Sequence, residues 1–248
     1  MTPLPPLTPN AWLRWDLVSR LLPENAYAVL EIGCGQGGFG VRLSRMYRYV
    51  GLEPDPESFR IASERMAACG GHGEVRNGDL SALKPAETFD LVCAFEVIEH
   101  LEDDDKALAE WAARLRPGGW LLLSTPAFQH RFGPGDAMVG HYRRYDPAIL
   151  RRLLQQTGLV DIELYQYGGP LGYVLEAARN QIGRRRMAAL ARTGATMEER
   201  TSGSGRLLQP RSRLRGLATQ WGTWPFRWLQ RRFPNHGPGL VARARLPR

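Results

Sequence analysis

The chain has 248 residues, of which 43% are hydrophobic and 23% are charged, enough for one domain with a substantial core and an appended segment. It contains no run of about 18 apolar residues, so no membrane-spanning helix is expected. Its three cysteines, Cys34, Cys69 and Cys93, are widely spaced and odd in number. This spacing argues against a disulfide or metal framework, and it favours an intracellular, cytoplasmic protein. The Pro-rich first ten residues lack the basic start and apolar centre of a signal peptide.

The formal net charge of +8 is divided unevenly along the chain. Residues 1–175 carry 17 basic and 22 acidic residues, a net charge of −5. Residues 176–248 carry 16 basic residues, all arginine, and 3 acidic residues, a net charge of +13. Such a division predicts that the C-terminal part faces anionic lipid, nucleic acid or an acidic substrate. A genome rich in arginine codons and an ordinary solvated face would explain the same pattern equally well.

The N-terminal segment, residues 1–26, is predicted to contain a helix. Asn10 is a candidate N-cap for a helix over residues 11–22, because Trp12, Trp15 and the apolar residues after them recur at helical spacing. We expect this helix to pack against the main domain, with its tryptophans in the core rather than on a ligand.

A short apolar strand followed by closely spaced glycines is the first indication of a binding site. Val29–Ile32 has the continuous apolar character of a buried parallel strand, and Gly33, Gly35 and Gly37 follow it. The segment from residue 39 to residue 46 can then form a helix. Because glycine has no Cβ, backbone N–H groups in such a turn can approach a ligand closely. The pattern predicts a nucleotide-type site at the carboxyl end of a central strand.

Two carboxylates accompany this turn. Glu31 lies one residue before the strand ends, and Glu53 ends the next apolar run, where it can accept hydrogen bonds from ribose hydroxyls. With these residues the sequence resembles the class I S-adenosylmethionine-dependent methyltransferases. Their first motif, E-x-G-x-G-x-G, is matched by Glu31, Gly33, Gly35 and Gly37, and their acidic residue after the second strand is matched by Glu53.

Further motifs extend the resemblance to about residue 170. Phe95–Leu101 and Leu115–Gly119 are very similar to the group that includes ubiquinone-type O-methyltransferases, and Gly140–Tyr145 matches a G-H-x-R-R-Y segment that many members carry. Between these motifs, residues 103–115 are predicted as a helix that residues 116–119 close.

The resemblance implies a fold and a division of the chain. The fold is α/β, with a Rossmann-like, doubly wound sheet of seven strands in the order 3-2-1-4-5-7-6, the last strand antiparallel, and a mostly helical insertion before that strand. After the N-terminal segment, the implied division is an S-adenosylmethionine-binding core at 27–170, an Arg/Trp-rich insertion or cap at 171–236, and the final strand of the sheet at 237–248.

The resemblance also implies which residues contact S-adenosylmethionine. The carboxylate of Asp79 is placed to meet the adenine amine, and the backbone N–H of Leu80 can meet a ring nitrogen. The implied cofactor contacts are Glu31, Gly33, Cys34, Gly35, Gly37, Glu53, Pro54, Asp79, Leu80, Phe95 and Glu96.

Methyl transfer from a sulfonium needs alignment and exclusion of water, and an oxygen nucleophile also benefits from a general base. His141 and His100 are equal candidates for this base, with His130 behind them, although each histidine could simply orient a loop or cap a helix. Glu96 and Glu99 could position His100 or bind a metal ion, but no spacing of ligand residues predicts a metal site.

The C-terminal region gives the best indication of the acceptor. Residues 193–209 are polar and rich in glycine and serine, which predicts a mobile linker. Residues 214–233 mix tryptophan and phenylalanine with arginine, a composition typical of segments at the level of lipid headgroups. We therefore expect either a peripheral contact with a membrane or anionic lipid, or a cap that packs over the active site.

The favoured function is methylation, preferably O-methylation, of a small-molecule acceptor, including a lipid-like or glycosylated one. A nucleic-acid methyltransferase that uses the basic C-terminal region is an alternative. It is disfavoured because Ser124–Ala127 stands where an Asp/Asn-Pro-Pro-Tyr motif would be expected. A nicotinamide-dependent oxidoreductase or a non-catalytic nucleotide binder is the third class.

Overall fold

The computed structural model describes residues 4–70, 72–190 and 213–248, so the predicted linker at 193–209 lies outside the described residues. A seven-stranded sheet forms its centre, in the order β3-β2-β1-β4-β5-β7-β6. Strand β7 is antiparallel to both of its neighbours, and the predicted fold is confirmed. The strands are β1 (Ala28–Ile32), β2 (Arg48–Glu53), β3 (Gly73–Asn77), β4 (Phe89–Phe95), β5 (Leu115–Pro126), β6 (Val160–Tyr167) and β7 (Gly239–Arg245).

Helices flank the sheet. In the described ranges they are α1 (Pro9–Leu21), α2 (Gly40–Leu43), α3 (Pro56–Cys69), α4 (Asp104–Ala112), α5 (Pro134–Met138), α6 (Pro147–Gln156), α7 (Leu171–Leu190), α8 (Arg213–Gly222) and α9 (Trp224–Arg232). Short 3₁₀ turns occur at Leu80–Ala82, Ile98–His100 and Gln129–Arg131.

The central strands are buried on both faces, which explains their continuous apolar character. All five residues of β1 are buried, and its side chains alternate between two core clusters. Leu30 belongs to the cluster beneath α4 and α6, and Val29 belongs to the cluster that α1 completes with Leu13. Because β1 and β4 are parallel, their carboxyl ends meet at one edge of the sheet, where the glycine turn lies.

The predicted boundaries of three helices are wrong. Helix α1 begins at Pro9 rather than Ala11, because the Thr8 hydroxyl rather than Asn10 caps it and accepts a hydrogen bond from Ala11 N at 3.2 Å. Proline suits the first helical turn because it has no N–H to satisfy there.

Helix α4 ends at Ala112, and the segment at 116–119, predicted to close that helix, belongs to β5. Leu115 is buried and pairs with Phe89 of β4, so the chain has already entered the sheet.

The second helix is also shorter than predicted, because α2 covers only Gly40–Leu43 of the expected residues 39–46.

The described residues between β6 and β7 form α7, α8 and α9, so the predicted helical insertion before the last strand is confirmed. Whether residues 171–236 behave as a separate cap stays a prediction.

In residues 4–70, 72–190 and 213–248, no helix combines the length and apolar character needed to cross a bilayer.

Candidate functional site

The glycine turn and Glu53 meet at the carboxyl edge of the sheet. The backbone N–H of Gly35 donates to Glu53 Oε2 at 2.7 Å, and the N–H of Cys34 donates to the carbonyl of Leu52 at 2.9 Å. Gly33 has a φ of +66°, and a Cβ there would lie 2.7 Å from a methyl of Val97, so the turn requires glycine at this position. The predicted convergence of turn and carboxylate is present.

Glu53 is held in place by backbone groups. Its second oxygen, Oε1, accepts a hydrogen bond from Asp55 N at 2.9 Å, and the side chain is buried. Burial raises the pKa of the Glu53 carboxyl, while the N–H groups of Asp55 and Gly35 act in the opposite direction. A carboxylate oxygen can accept a further hydrogen bond, and the contact of Glu53 with ribose hydroxyls stays a prediction.

Glu31 lies beneath the turn and is almost fully buried. Its Oε2 accepts a hydrogen bond from the Tyr49 hydroxyl at 2.6 Å. Burial raises the pKa of the Glu31 carboxyl to about 8. A nearby cation would favour the ionised form, and the contact of Glu31 with the cofactor stays a prediction.

The raised pKa of Glu31 makes a prediction about stability. The unfolded chain releases this proton near the ordinary glutamate pKa of 4.5, whereas the folded chain keeps it to about 8. Stability therefore falls as the pH rises between these values. In the absence of cofactor, Glu31→Gln should raise the melting temperature relative to wild type by an amount that grows from about pH 5 to about pH 8.5. A difference in melting temperature that does not depend on pH would contradict the raised pKa.

The other predicted cofactor residues occupy different environments. Asp79 is exposed and accepts a hydrogen bond from Ser81 N at 2.9 Å, and Leu80 begins the next turn against the core. Pro54 is exposed, and Cys34 is buried. Phe95 packs edge-on against a neighbouring ring in the core, which leaves its backbone as the candidate contact. Their roles in cofactor binding stay predictions.

Helix α1 contributes a residue to this edge that the sequence did not reveal. Arg14 forms an ion pair with Glu96 at 3.2 Å and donates to the Tyr167 hydroxyl at 3.0 Å. Glu96 follows β4 with a φ of +58° and accepts a hydrogen bond from Ser124 Oγ at 3.1 Å. The N-terminal helix is thereby joined by ion pair and hydrogen bond to the ends of β4 and β6.

His141 lies beside two buried carboxylates. Its Nδ1 is 3.0 Å from Asp136 Oδ1, and its Nε2 is 3.9 Å from Glu99 Oε1. The ring of His100 packs edge-on against that of His141, with centroids 4.6 Å apart. The structure thus brings His141 and His100 together, whereas His130 is exposed on the turn after β5.

Glu99 and His100 each have an atom that is not satisfied. Thr125 Oγ1 donates to Glu99 Oε2 at 3.2 Å, but Glu99 Oε1 and His100 Nδ1 are buried without a hydrogen-bond partner among the described residues. Burial raises the pKa of Glu99 well above its usual value. Burial, reinforced by neighbouring His141, lowers the pKa of His100 to about 3, so this histidine is neutral.

These side chains also form the group that could hold a metal ion within the described part of the chain. Glu99, His100 and His141 can each present one ligand atom within 4.8 Å of the others. The sequence predicted no metal site, because residues 99 and 141 lie far apart in the chain.

An ionic network holds Asp136 in place. Its carboxylate accepts hydrogen bonds from Arg144 Nε and Nη2 at 2.9 and 2.7 Å and from Arg179 Nη2 at 2.9 Å. Burial opposes ionisation of Asp136, but His141 and the two guanidinium groups hold the pKa of this carboxyl well below its usual range. Arg144 also donates to Glu176 Oε2 at 2.7 Å.

Part of this network had a signal in the sequence. His141 and Arg144 lie in the G-H-x-R-R-Y segment, and its last residue, Tyr145, donates to Asp104 Oδ2 at 2.6 Å. Glu176 and Arg179 lie on α7, more than 30 residues along the chain, and no local pattern linked them to the segment.

The fold and the glycine turn define a Rossmann-like protein with a nucleotide-type site. The model of the methyltransferase domain family matches residues 10–164, more than half of the chain. The chain therefore belongs to the methyltransferase domain family, and the predicted resemblance is confirmed.

Curated relatives agree with this assignment. The chain is 35% identical to a ubiquinone biosynthesis O-methyltransferase of Methylobacterium nodulans over 108 residues, 43% of each chain. It is 36% identical over 157 residues to a protein of Mycolicibacterium smegmatis named probable S-adenosylmethionine-dependent methyltransferase, covering 60% of this chain and 59% of that one. The chain thus spans about half the length of the curated relatives it matches.

Solved structures share the fold. Phosphoethanolamine N-methyltransferase 2 of Haemonchus contortus, in complex with S-adenosylmethionine, has a TM-score of 0.61 at 18% identity, covering 95% of this chain and 53% of that one. The N-methyltransferase NodS of Bradyrhizobium japonicum, in complex with S-adenosylhomocysteine, has a TM-score of 0.53 at 19% identity, covering 97% and 86%. S-adenosylmethionine is the family's cofactor, and this prediction is confirmed at the level of the family.

Proposed function

We propose that the chain catalyses S-adenosylmethionine-dependent O-methylation of a small-molecule acceptor, with His141 as the general base. The observation that carries this proposal is the buried His141–Asp136 pair at 3.0 Å. A carboxylate on Nδ1 holds a histidine in the tautomer whose Nε2 can accept a proton. The 3.9 Å from Nε2 to Glu99 is too long for a hydrogen bond, so the lone pair on Nε2 remains available.

The base lies close to the cofactor edge in the fold. Glu96 and Glu99 are three residues apart after β4, and they accept hydrogen bonds from the adjacent β5 residues Ser124 and Thr125. The first of these carboxylates belongs to the set predicted to contact the cofactor, and the second faces His141. We propose that the acceptor binds between these two carboxylates with its hydroxyl toward His141.

The buried carboxylate of Glu31 and the Glu53–Gly35 contact fit an adenosyl sulfonium, which supplies an electrophilic methyl group and a good leaving group. Glu53 would bind the ribose, and the glycine turn would admit the adjoining chain. His141 Nε2 would take the proton of the acceptor hydroxyl as that oxygen attacks the methyl group, and the bound sulfonium would supply the methyl and retain the electron pair of its C–S bond. The protein residues otherwise align the reactants and exclude water.

The acceptor in this proposal has an apolar part. A cleft of about 320 Å³, lined almost entirely by apolar atoms, lies between α7 and the α8–α9 pair, with Leu171, Leu175 and Phe226 among its walls. Leu175 is adjacent to Glu176, which belongs to the Asp136–Arg144 network on another face of α7. The cleft and the Asp136–Arg144 network thus lie on different faces of α7, and the proposal of an acceptor with an apolar part rests on the apolar lining of the cleft alone.

The role of His141 is tested by His141→Gln in an acceptor screen that detects a gain of one methyl mass. Loss of a general base is expected to lower kcat about 10²- to 10⁴-fold, while the Kd for S-adenosylhomocysteine stays unchanged. His130→Gln, an exposed histidine of the same region, is the matched control and should keep full activity.

Three results would redirect or overturn this proposal. Unchanged turnover in His141→Gln would remove His141 as the base. Loss of activity in EDTA with recovery in Mn²⁺ would instead make Glu99, His100 and His141 metal ligands. Calorimetry in which NADH binds but S-adenosylhomocysteine does not would exclude methyl transfer altogether.

A further inference from the structure

The α8–α9 pair presents a row of large apolar side chains to solvent. Leu217 and Trp221 lie four residues apart on α8, and Trp224 and Trp228 lie four residues apart on α9, so each pair shares one helix face. Their exposed fractions are 51%, 70%, 57% and 58%. We refer to these four residues as the apolar stripe. Clustered exposed apolar side chains, unlike singly scattered ones, mark protein or membrane interaction sites.

The exposure of the stripe does not come from a loosely attached segment. On the opposite side of α9, buried Gln230 donates to the carbonyl of Leu13 and to Asp16 Oδ2, each at 2.9 Å. Arg231 pairs with the same Asp16, and Thr219 Oγ1 of α8 donates to the carbonyl of Leu7 at 3.1 Å. Both helices are therefore fixed on the N-terminal segment with the stripe facing outward.

Exposed arginines lie on the same helix as two residues of the stripe and on α7. Arg231 and Arg232 follow Trp228 on α9 and are exposed, and residues 184–186 add three exposed arginines on α7. The region from residue 176 onward carries a net charge of +13. Tryptophan beside arginine is the composition of surfaces that lie at the bilayer interface, with the indole rings among the headgroups and the guanidinium groups on phosphates.

We propose that the apolar stripe docks the protein on the surface of an anionic phospholipid bilayer. Charge complementarity favours this occupant over a second copy of the chain, because a symmetric contact would bring two strongly basic regions together. It is also favoured over nucleic acid, because aliphatic Leu217 belongs to the stripe and offers no ring for base stacking. The proposal does not depend on which acceptor is methylated.

Sedimentation of the full-length protein with vesicles tests the proposal. Binding is expected to vesicles of phosphatidylcholine with phosphatidylglycerol, weakly or not at all to phosphatidylcholine alone, and less at high salt. The double variant Trp224→Ser/Trp228→Ser should reduce the partition coefficient about tenfold or more, because two indole rings no longer leave water. Tyr27→Ser, which removes a 68% exposed aromatic residue just before β1, is the control and should bind as wild type does.

Three results would overturn the proposal. One is equal partition of the double variant, in a preparation that keeps the wild-type circular dichroism melt and affinity for S-adenosylhomocysteine. Another is a wild-type dimer in sedimentation velocity that the same two substitutions disperse, which would assign the stripe to self-association. The third is tighter binding to RNA than to anionic vesicles. Turnover of a soluble acceptor is measured separately, so failure of vesicle binding is distinguishable from failure of the proposed methyl transfer.

Discussion

Glu53→Ala is expected to abolish measurable binding of S-adenosylmethionine. The Glu53 carboxylate lies at the carboxyl end of β2, fixed by the N–H groups of Gly35 and Asp55 at 2.7 and 2.9 Å. Hydrogen bonds to a charged group contribute about 1.5–3 kcal/mol each, so losing the two ribose contacts proposed for this carboxylate corresponds to a loss of more than about a hundredfold in affinity. Alanine would also leave the N–H of Gly35 without its acceptor.

Calorimetry with S-adenosylhomocysteine measures this effect, and two variants make the result specific. Glu53→Gln keeps an oxygen that can accept from Gly35 N, so it should fold as wild type and bind with intermediate affinity. Gly35→Val should also weaken binding strongly, because Gly35 has a φ of +54° that a β-branched residue rarely adopts. Unchanged affinity in Glu53→Ala would remove the assignment of the ribose contact.

Asp136→Ala is expected to cost about 3–5 kcal/mol in the free energy of unfolding, as is typical when one partner of a buried ion pair is removed. The carboxylate of Asp136 is fully buried, and so is the guanidinium of Arg144 against it. Without Asp136, Arg144 keeps Glu176 but loses two hydrogen bonds, and Arg179 loses its pairing. His141 would lose the group that orients its ring.

Urea denaturation measures the cost, and kinetics separates stability from positioning. Asp136→Asn retains the shape and some of the hydrogen bonds, so it should be less destabilised than Asp136→Ala. It should still lower kcat, because an amide does not hold the histidine in the required state. Arg179→Gln is the matched control: it removes one partner of Asp136 that is not fully buried and should lose less stability. A kcat for Asp136→Asn equal to that of wild type would contradict a positioning role for Asp136.

Local patterns in the sequence predicted the fold and the cofactor edge. Each of the features that indicated them involves residues that are neighbours in the sequence: the apolar strands, the glycine turn and the acidic residue at the end of β2. Backbone conformation and burial impose such local patterns directly. The strand order, including the antiparallel β7, was predicted from the family resemblance. The predicted end of a helix was wrong where two local patterns indicated different structures. Leu115 pairs with β4 and so belongs to the sheet, although the Pro-Gly-Gly that follows it is a helix-ending pattern.

The amino-acid sequence was sufficient for the class of fold, the glycine turn with Glu31 and Glu53, and the histidines worth testing. The packing of distant elements was needed to show which histidine has a carboxylate partner, that Arg14 reaches Glu96, and that α7 supplies Glu176 and Arg179 to the Asp136 network. The physical reason is that a charged residue has the same local signature whether it faces water or pairs inside the protein. Its environment depends on how distant helices and strands dock, and no local spacing records that arrangement.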